Sequence, residues 1–273
     1  MGNYGQGTIK NYCMEVRLML QYYHEKEVET ITADDLRKYL LYVQDVQGGG
    51  YAKRKSVAFS CSFFFKHVLQ MPEVLPAKLY PRSCFQLPKV MSPEEVKHLL
   101  DSLNDIRQYA VISLLYGTGM RISELLKITF PDIERRQRRI LVRQSKGHKD
   151  RYVLLPRQAL SAIENYYRTY RPEVYLFESS QIKRSPMHVR HLQTIVKSAM
   201  TKAGFGEKLY TAHTLRHSFA THLLDNGCDI HTIKTLLGHA NIKTTMVYLH
   251  LQQQKRENLV SPLDVLMGGH GIR

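Results

Sequence analysis

Near its C-terminus the chain reads Thr211-Ala-His213-Thr-Leu-Arg216-His217, then Leu236-Leu-Gly-His239, and then Tyr248. His213 and Arg216 are three residues apart, so on a helix they share one face and can reach the same ligand group. The guanidinium of Arg216 is a planar fork of donors that suits a phosphate. Tyr248 adds a hydroxyl that could attack phosphorus. The stretch therefore predicts a helical region with chemistry directed at phosphate.

The charge balance of the whole chain points to a polyanionic partner. Lys and Arg exceed Asp and Glu by 15, and the isoelectric point is near 9.6. The phosphate backbone of double-stranded DNA is the commonest partner of such a surface, although a merely basic soluble protein would look the same. Charge alone says nothing about chemistry.

The composition is that of a folded soluble protein, with 43% hydrophobic and 23% charged residues. No apolar run approaches the roughly 20 residues of a membrane span, so no membrane partner is expected. Residues 1–10 lack the apolar core of a signal peptide, and we expect a cytoplasmic, nucleoid-associated protein. No Cys-x-x-Cys is present, which argues against a zinc site.

Helical periodicity dominates the first 75 residues, which we assign to a helical DNA-binding domain. Thr32 and Asp35 resemble a capping box that opens a second helix, and Gly48–Gly50 break the chain before a third helix over 51–69. That helix begins with the basic run 53–55, which either faces solvent or grips phosphate. Its phenylalanines at 59, 63, 64 and 65 are expected in the core.

Prolines interrupt the following region, so we predict a linker over 76–91 and a second domain over 92–273. Ser92-Pro-Glu-Glu95 is a strong helix start. The turn Gly117-Thr-Gly119 would deliver Arg121 to a defined spot. Strands at 140–142 and 152–155 flank a basic hairpin tip, a third strand candidate lies at 174–177, and further helices are predicted at 157–170, 188–203, 214–225 and 230–237. The expected fold class is mainly α with a small β-hairpin or sheet.

Taken together, the candidate residues fit metal-free phosphoryl transfer, although each alone has an ordinary structural explanation. Two guanidinium groups, Arg121 and Arg216, would neutralise the charge that grows on a phosphodiester under attack. His213 could accept the proton of the tyrosine, whose pKa is about 10. Lys146 on the hairpin could protonate the leaving 5′ oxygen, and His239 would donate a further hydrogen bond. No dense carboxylate cluster is evident for magnesium, so no metal or cofactor is expected.

Five segments, in order over about 92–250, resemble the tyrosine recombinase (phage integrase) family. They are Thr118-Gly-Met-Arg121-Ile-Ser-Glu124-Leu, Ser145-Lys146-Gly-His-Lys-Asp-Arg151, His213-Thr-Leu-Arg216-His-Ser-Phe-Ala-Thr-His-Leu-Leu, Leu236-Leu-Gly-His239 and Tyr248. The resemblance implies Arg121, Lys146, His213, Arg216 and His239 as the activating set and Tyr248 as the nucleophile.

The resemblance also implies a 3′-phosphotyrosine intermediate and strand exchange through a Holliday junction by a homotetramer on two DNA sites. Residues 8–70 resemble the family's helical core-binding domain, and the two domains would form a C-shaped clamp around DNA. The candidate DNA-binding residues are Lys53, Arg54, Lys55, Lys149 and Arg151. Few residues precede Thr8, which suggests a simple subclass near the Xer recombinases and small mobile-element integrases. A short apolar segment, 259–267, is expected to pack on a neighbouring protomer.

Three other functions remain open from the sequence. The same residues fit a type IB topoisomerase-like enzyme, which relaxes DNA without strand exchange. The chain could also be a DNA-binding protein without cleavage activity, although every expected catalytic position is filled. A hydrolase with His213, His217 and His222 as metal ligands is disfavoured, because their spacing puts at most two on one helical face and no Glu accompanies them.

Overall fold

The computed structural model describes residues 4–71, 75–76, 80–81, 87–143 and 150–253 of the 273-residue chain. The chain divides into two compact units, Met1–Gln86 and Leu87–Arg273. The point of division falls within the predicted linker over 76–91. Within the described ranges, no helix is long and apolar enough to cross a membrane.

The first unit is helical in all its regular segments that the structure describes. Its helices are α1 (Gln6–Tyr22), α2 (Ala33–Asp45) and α3 (Tyr51–Phe63), with a 3-10 turn at Val28–Thr30 and a π-helical turn at Phe64–Val68. The predicted capping box of α2 is confirmed. The Thr32 amide donates to Asp35 Oδ2 at 2.8 Å, and the Asp35 amide donates to Thr32 Oγ1 at 3.3 Å.

The core of the first unit lies between these three helices and contains Met19, Tyr39, Val43 and Phe65, each at most 1% exposed. The prediction that all four phenylalanines are core residues is wrong for Phe59, which is 45% exposed. Phe59 lies six positions before Phe65, which at about 100° per residue places them on different faces of the helix.

In its described residues, the second unit consists of helices and one small sheet. Its helices are α4 (Pro93–Asp101), α5 (Ile106–Thr118), α6 (Ile122–Leu125), α7 (Arg157–Tyr170), α8 (Val189–Lys202), α9 (Ala212–Asp225), α10 (Ile230–Leu237) and α11 (Lys243–Gln253). The predicted start of α4 is confirmed, since the Ser92 amide donates to Glu95 Oε2 at 2.9 Å and the Glu95 amide donates to Ser92 Oγ at 3.2 Å.

The sheet has the antiparallel order β1 (Ile133–Glu134), β2 (Arg139–Val142) and β3 (Arg151–Leu154), with Val142 opposite Arg151. The two predicted strands are confirmed, and the two-residue β1 is an addition that the sequence did not indicate. The strand candidate at 174–177 is reduced to an isolated bridge between Tyr175 and Thr129. Helices with a small sheet confirm the predicted fold class.

Helix α5 is the centre of the second unit. Val111, Ile112 and Leu115 are fully buried, and α5 packs against α7, α8 and α9. A separate apolar cluster joins α9, α10 and α11 and includes Leu237 and Tyr248. This packing brings the turn after α5, the end of α10 and the middle of α11 to the sides of α9.

Candidate active site

The turn after α5 fixes the position of Arg121. Gly119 ends the helix with φ +64°, and a Cβ there would lie 2.4 Å from the ring of Phe219. Only glycine combines this left-handed backbone with so close an approach. Arg121 then precedes α6, and its backbone amide donates to Glu124 Oε2 at 2.9 Å. The sequence prediction of a tight turn that delivers Arg121 to one place is confirmed.

Glu124 holds two guanidinium groups from two parts of the fold. Arg121 Nη1 lies 2.8 Å from Oε1, and Arg151 donates through Nη1 at 3.1 Å and Nη2 at 2.8 Å. Burial by itself raises the pKa of this carboxyl, but the hydrogen bonds from Arg151 and from the Arg121 amide, with both positive charges, lower it to about 2. The carboxylate is therefore ionised at neutral pH and positions Arg121, whose side chain stays 26% exposed.

Arg216 is anchored by backbone carbonyls on both sides of α9. Its Nη1 donates to the Gly119 carbonyl and its Nη2 to the Leu237 carbonyl, both at 2.6 Å, and Nη1 lies 3.9 Å from Glu124 Oε2. Burial and the neighbouring Arg121 lower the pKa of the Arg216 guanidinium to about 10, so it remains cationic at neutral pH. Arg121 and Arg216 thus meet at one carboxylate, as expected for two arginines that serve one phosphate.

Arg151 requires a correction. We predicted a DNA contact, but its side chain is 7% exposed and each of its three nitrogens donates within the protein. Besides Glu124, its partner is the Leu236 carbonyl, which Nε reaches at 2.8 Å. The guanidinium also packs against Gly238, where a Cβ would lie 2.8 Å from Nη1. Arg151 therefore joins β3 to α6 through a buried ion pair with Glu124 and to the end of α10 through the Leu236 carbonyl.

His213 and His239 flank the arginines and are uncharged at neutral pH. His213 is exposed on the first turn of α9, and partial burial, Arg216 and Arg121 lower its pKa. His239 follows Gly238 at the end of α10, and its Nδ1 lies 2.9 Å from Thr245 Oγ1. Burial, with Arg216 and Arg121, lowers the pKa of His239 to about 4.

Tyr248 lies on α11 with 1% of its surface exposed. Burial raises the pKa of its hydroxyl above 10, while Arg216 and Arg121 act in the opposite direction. Its hydroxyl is 3.0 Å from Nδ1 of His217. Sequence reasoning missed this contact, because no periodic pattern links two positions 31 residues apart on different helices.

Comparisons of the sequence with known families and proteins identify the family of this chain. Residues 89–255, more than half of the chain, match the phage integrase family, and residues 1–73 match the N-terminal SAM-like domain of phage integrases. The tyrosine recombinase XerA of Pyrococcus furiosus is 35% identical over 265 residues, which cover 92% of this chain and 90% of the relative. The chain belongs to the phage integrase family.

Other relatives of this phage integrase family member carry the same kind of name. A putative integrase/recombinase, y4qK of Sinorhizobium fredii, is 32% identical over 97% of this chain and 85% of its own length. Among solved structures, XerH bound to its difH substrate superposes with a TM-score of 0.74 at 21% identity, covering 97% of this chain and 80% of that one. Identity this low supports the fold alone. The family assignment makes the chain an enzyme of the site-specific tyrosine recombinase class.

The structure therefore brings together five of the six predicted catalytic residues: Arg121, His213, Arg216, His239 and Tyr248. Lys146 lies outside the described residues, as does the DNA-binding candidate Lys149. The metal-site alternative gains no support, since within the described ranges no three His, Cys, Asp or Glu side chains are grouped to hold an ion. Of its three histidines, His217 contacts Tyr248 and His222 contacts Tyr116.

The remaining DNA-binding candidates lie at the start of α3 in the first unit. Lys53 Nζ pairs with both carboxylate oxygens of Glu15, at 2.6 and 2.7 Å. Arg54 donates to the amide oxygen of Gln44. Lys55 is exposed and lies over the Tyr51 ring, with 5.6 Å from Nζ to the ring centroid. Their contact with DNA stays a prediction.

Proposed function

We propose that this chain cleaves and rejoins DNA strands at a specific site with Tyr248 as the nucleophile. The Tyr248 oxygen attacks a backbone phosphate, forms a 3′-phosphotyrosine and releases a 5′ hydroxyl, which restores the strand or joins a partner strand through a Holliday junction. The observation that carries this proposal is the convergence of Arg121 and Arg216 on Glu124, with Tyr248 within their electrostatic influence.

Each residue has a definite task in this mechanism. Arg121 and Arg216 neutralise the charge that develops on the non-bridging oxygens of the phosphate, a role that suits donors fixed before the reaction. His213 and His239, both neutral, donate hydrogen bonds to the same oxygens. Lys146 gives a proton to the leaving 5′ oxygen. None of these steps calls for a metal ion.

The proposed substrate is double-stranded DNA, bound by both units. The net charge of +15 favours binding to phosphates, and Lys53, Arg54 and Lys55 are the proposed contacts of the first unit. The crystal structure of XerH, whose fold this chain shares, contains that protein with its difH substrate. We propose that the active assembly is a homotetramer on two DNA sites and that it acts on the chromosome in the nucleoid.

The first experiment uses a DNA duplex drawn from the sequence that flanks the gene, with a nick close to the cleavage position. Loss of the short 5′-hydroxyl fragment traps the covalent intermediate, which denaturing electrophoresis detects in buffer with EDTA. We expect an adduct with the wild-type protein and none with Tyr248→Phe, which lacks only the nucleophilic oxygen.

Two results would count against the proposal. An adduct that persists with Tyr248→Phe would mean that another side chain is the nucleophile. Specific binding without any adduct would mean that the chain binds DNA without cutting it. Strand exchange between two labelled duplexes, against relaxation of a supercoiled plasmid, then separates recombination from topoisomerase-like activity.

A further inference from the structure

The contact between His217 and Tyr248 has no role in the mechanism above. His217 lies on α9, Tyr248 lies on α11, and Nδ1 is 3.0 Å from the phenolic oxygen, with the ring centroids 5.7 Å apart. A general base must lie within about 2.6–3.2 Å of the atom that loses the proton. We propose that His217 accepts the proton of Tyr248 as it attacks DNA, an inference that rests on the proposed role of Tyr248 as nucleophile.

Two adjacent residues of α9, Arg216 and His217, face different parts of the site. Successive side chains on a helix point about 100° apart. Arg216 faces the carbonyls of Gly119 and Leu237, whereas His217 faces α11. In the proposed mechanism Arg216 therefore supplies positive charge to the phosphate, and His217 accepts the proton of the nucleophile.

The protonation state of His217 suits an acceptor. Burial, His213 and Arg216 lower its pKa to about 4, so the ring is neutral at neutral pH. With the ring proton on Nε2, Nδ1 accepts a hydrogen bond from the Tyr248 hydroxyl. Among the described residues, the titratable and charged groups around the ring are His213 and Arg216 on α9, Tyr248 on α11 and His239 after α10. A bound phosphate adds negative charge, which offsets the arginines and strengthens the base.

The proton and bond changes balance within the site. As the bond between the Tyr248 oxygen and phosphorus forms, the phenolic O–H bond breaks and its proton moves to Nδ1 of His217. The bond between phosphorus and the 5′ oxygen breaks, and that oxygen takes a proton from the proposed acid Lys146. Religation runs the same steps in reverse, with His217 returning its proton to the tyrosine oxygen. Transfer occurs together with P–O bond formation, because the free phenol is a far weaker acid than the imidazolium.

This proposal changes the role of His213, which we predicted from the sequence as the proton acceptor. His213 lies on the first turn of α9 and is exposed to solvent. It remains suited to donate a hydrogen bond to a non-bridging phosphate oxygen. The two histidines therefore make different predictions when each is replaced.

The test compares His217→Asn with wild type in single-turnover cleavage of a nicked duplex. The Asn amide oxygen stands near the position of Nδ1 and accepts the same hydrogen bond, but it takes up no proton. The matched control is His222→Asn on the same helix, because His222 Nδ1 lies 2.9 Å from the hydroxyl of Tyr116. A second substrate carries sulfur in place of the bridging 5′ oxygen, so that the leaving group needs no acid.

We expect His217→Asn to slow cleavage of both substrates by about 10²-fold, the typical contribution of a general base, with DNA binding unchanged. The cleavage rate of His217→Asn should rise about tenfold per pH unit, because hydroxide then acts as the base. The wild-type cleavage rate should be constant between about pH 6 and 8. The sulfur substrate should rescue Lys146→Ala and leave His217→Asn slow. His222→Asn should behave as wild type.

Two results overturn the inference without touching the proposed function. One is an adduct that requires Tyr248 but forms with His217→Asn at the wild-type rate and with a flat pH profile. The other is a cleavage rate that rises with pH in His213→Asn, which would make His213 the base. This variant tests the inference even if His217→Asn fails to fold. An adduct that is independent of Tyr248 overturns both proposals.

Discussion

Glu15 in the first unit and Glu124 in the second are both nearly inaccessible, at 2% and 8% exposure, and both are paired with basic residues. Glu15 accepts two hydrogen bonds from one ammonium, Lys53, whose side chain is 34% exposed. Glu124 accepts hydrogen bonds from a backbone amide and two guanidinium groups, of which Arg151 is 7% exposed. The first pair lies at the edge of a domain, whereas the second is enclosed by protein.

The difference separates a buried charge that stabilises helix packing from one that, in the proposed mechanism, positions the catalytic arginines. An ammonium at a surface can turn to water, so the Glu15 pair fixes little beyond the packing of α1 on α3. Around Glu124, the guanidinium groups of Arg151 and Arg216 are also held by carbonyls of two other elements, so their geometry is set before DNA arrives. Such preorganised charge is what stabilises a transition state most effectively.

The largest effect should come from Glu124→Gln. It leaves Arg151 buried without a counter-charge, and removal of one partner of a buried ion pair costs about 3–5 kcal/mol. Arg121 also loses its anchor, so we expect cleavage to fall by at least about 10²-fold. Hydrogen exchange measured by mass spectrometry reports each unit separately. Protection should drop in α9 and α10 and stay unchanged in α1 and α3.

The matched variant is Glu15→Gln, which leaves Lys53 with access to water. Its effect should be smaller, confined to α1 and α3, and without loss of the cleavage rate once DNA is bound. Equal losses of protection in the two variants would contradict the distinction between an edge pair and an enclosed pair.

An intermediate effect is expected for Gly238→Ala. Gly238 has φ +64°, and its added Cβ would lie 2.8 Å from Arg151 Nη1. The left-handed backbone costs about 1–2 kcal/mol for alanine, and displacement of the packed guanidinium adds about 1–3 kcal/mol. Thermal unfolding followed by circular dichroism measures the sum, and the cleavage assay reports whether Arg121 has moved with Glu124.

Gly204→Ala is the control that separates the cost of the left-handed backbone from the cost of displacing the Arg151 guanidinium. Gly204 has φ +78° in the same unit, but a Cβ there meets no atom within 4 Å. It should therefore show the backbone cost alone and normal cleavage. If both variants lose the same stability and both cleave normally, the contact between Gly238 and Arg151 does not help to hold the site.

Local patterns in the sequence predicted much of this fold, and tertiary contacts account for what they missed. The capping boxes at Thr32 and Ser92 are encoded within four residues, so the helix starts were predictable. The motifs likewise predicted the candidate site residues, five of which the structure brings together. Arg151, by contrast, looked like a basic hairpin residue, because its partner Leu236 is 85 positions away. The His217–Tyr248 contact depends in the same way on how α11 packs against α9.

The smallest effect tests the first unit through the salt dependence of DNA binding. Each phosphate contact contributes about 0.9 to the slope of log K against log salt concentration. Lys55 is exposed, so Lys55→Met should lower the slope by about that amount. Lys53→Met carries the same substitution two residues away, but its ammonium is engaged by Glu15. We expect Lys53→Met to lower the slope by less than Lys55→Met does, because this ammonium contacts phosphate only when it leaves Glu15, and to weaken the protection of α1 and α3 from exchange. A slope lowered equally by Lys53→Met would mean that this ammonium leaves Glu15 to bind phosphate. The buried pair of the first unit would then take part in DNA binding, as we propose for the arginines around Glu124 in the second unit.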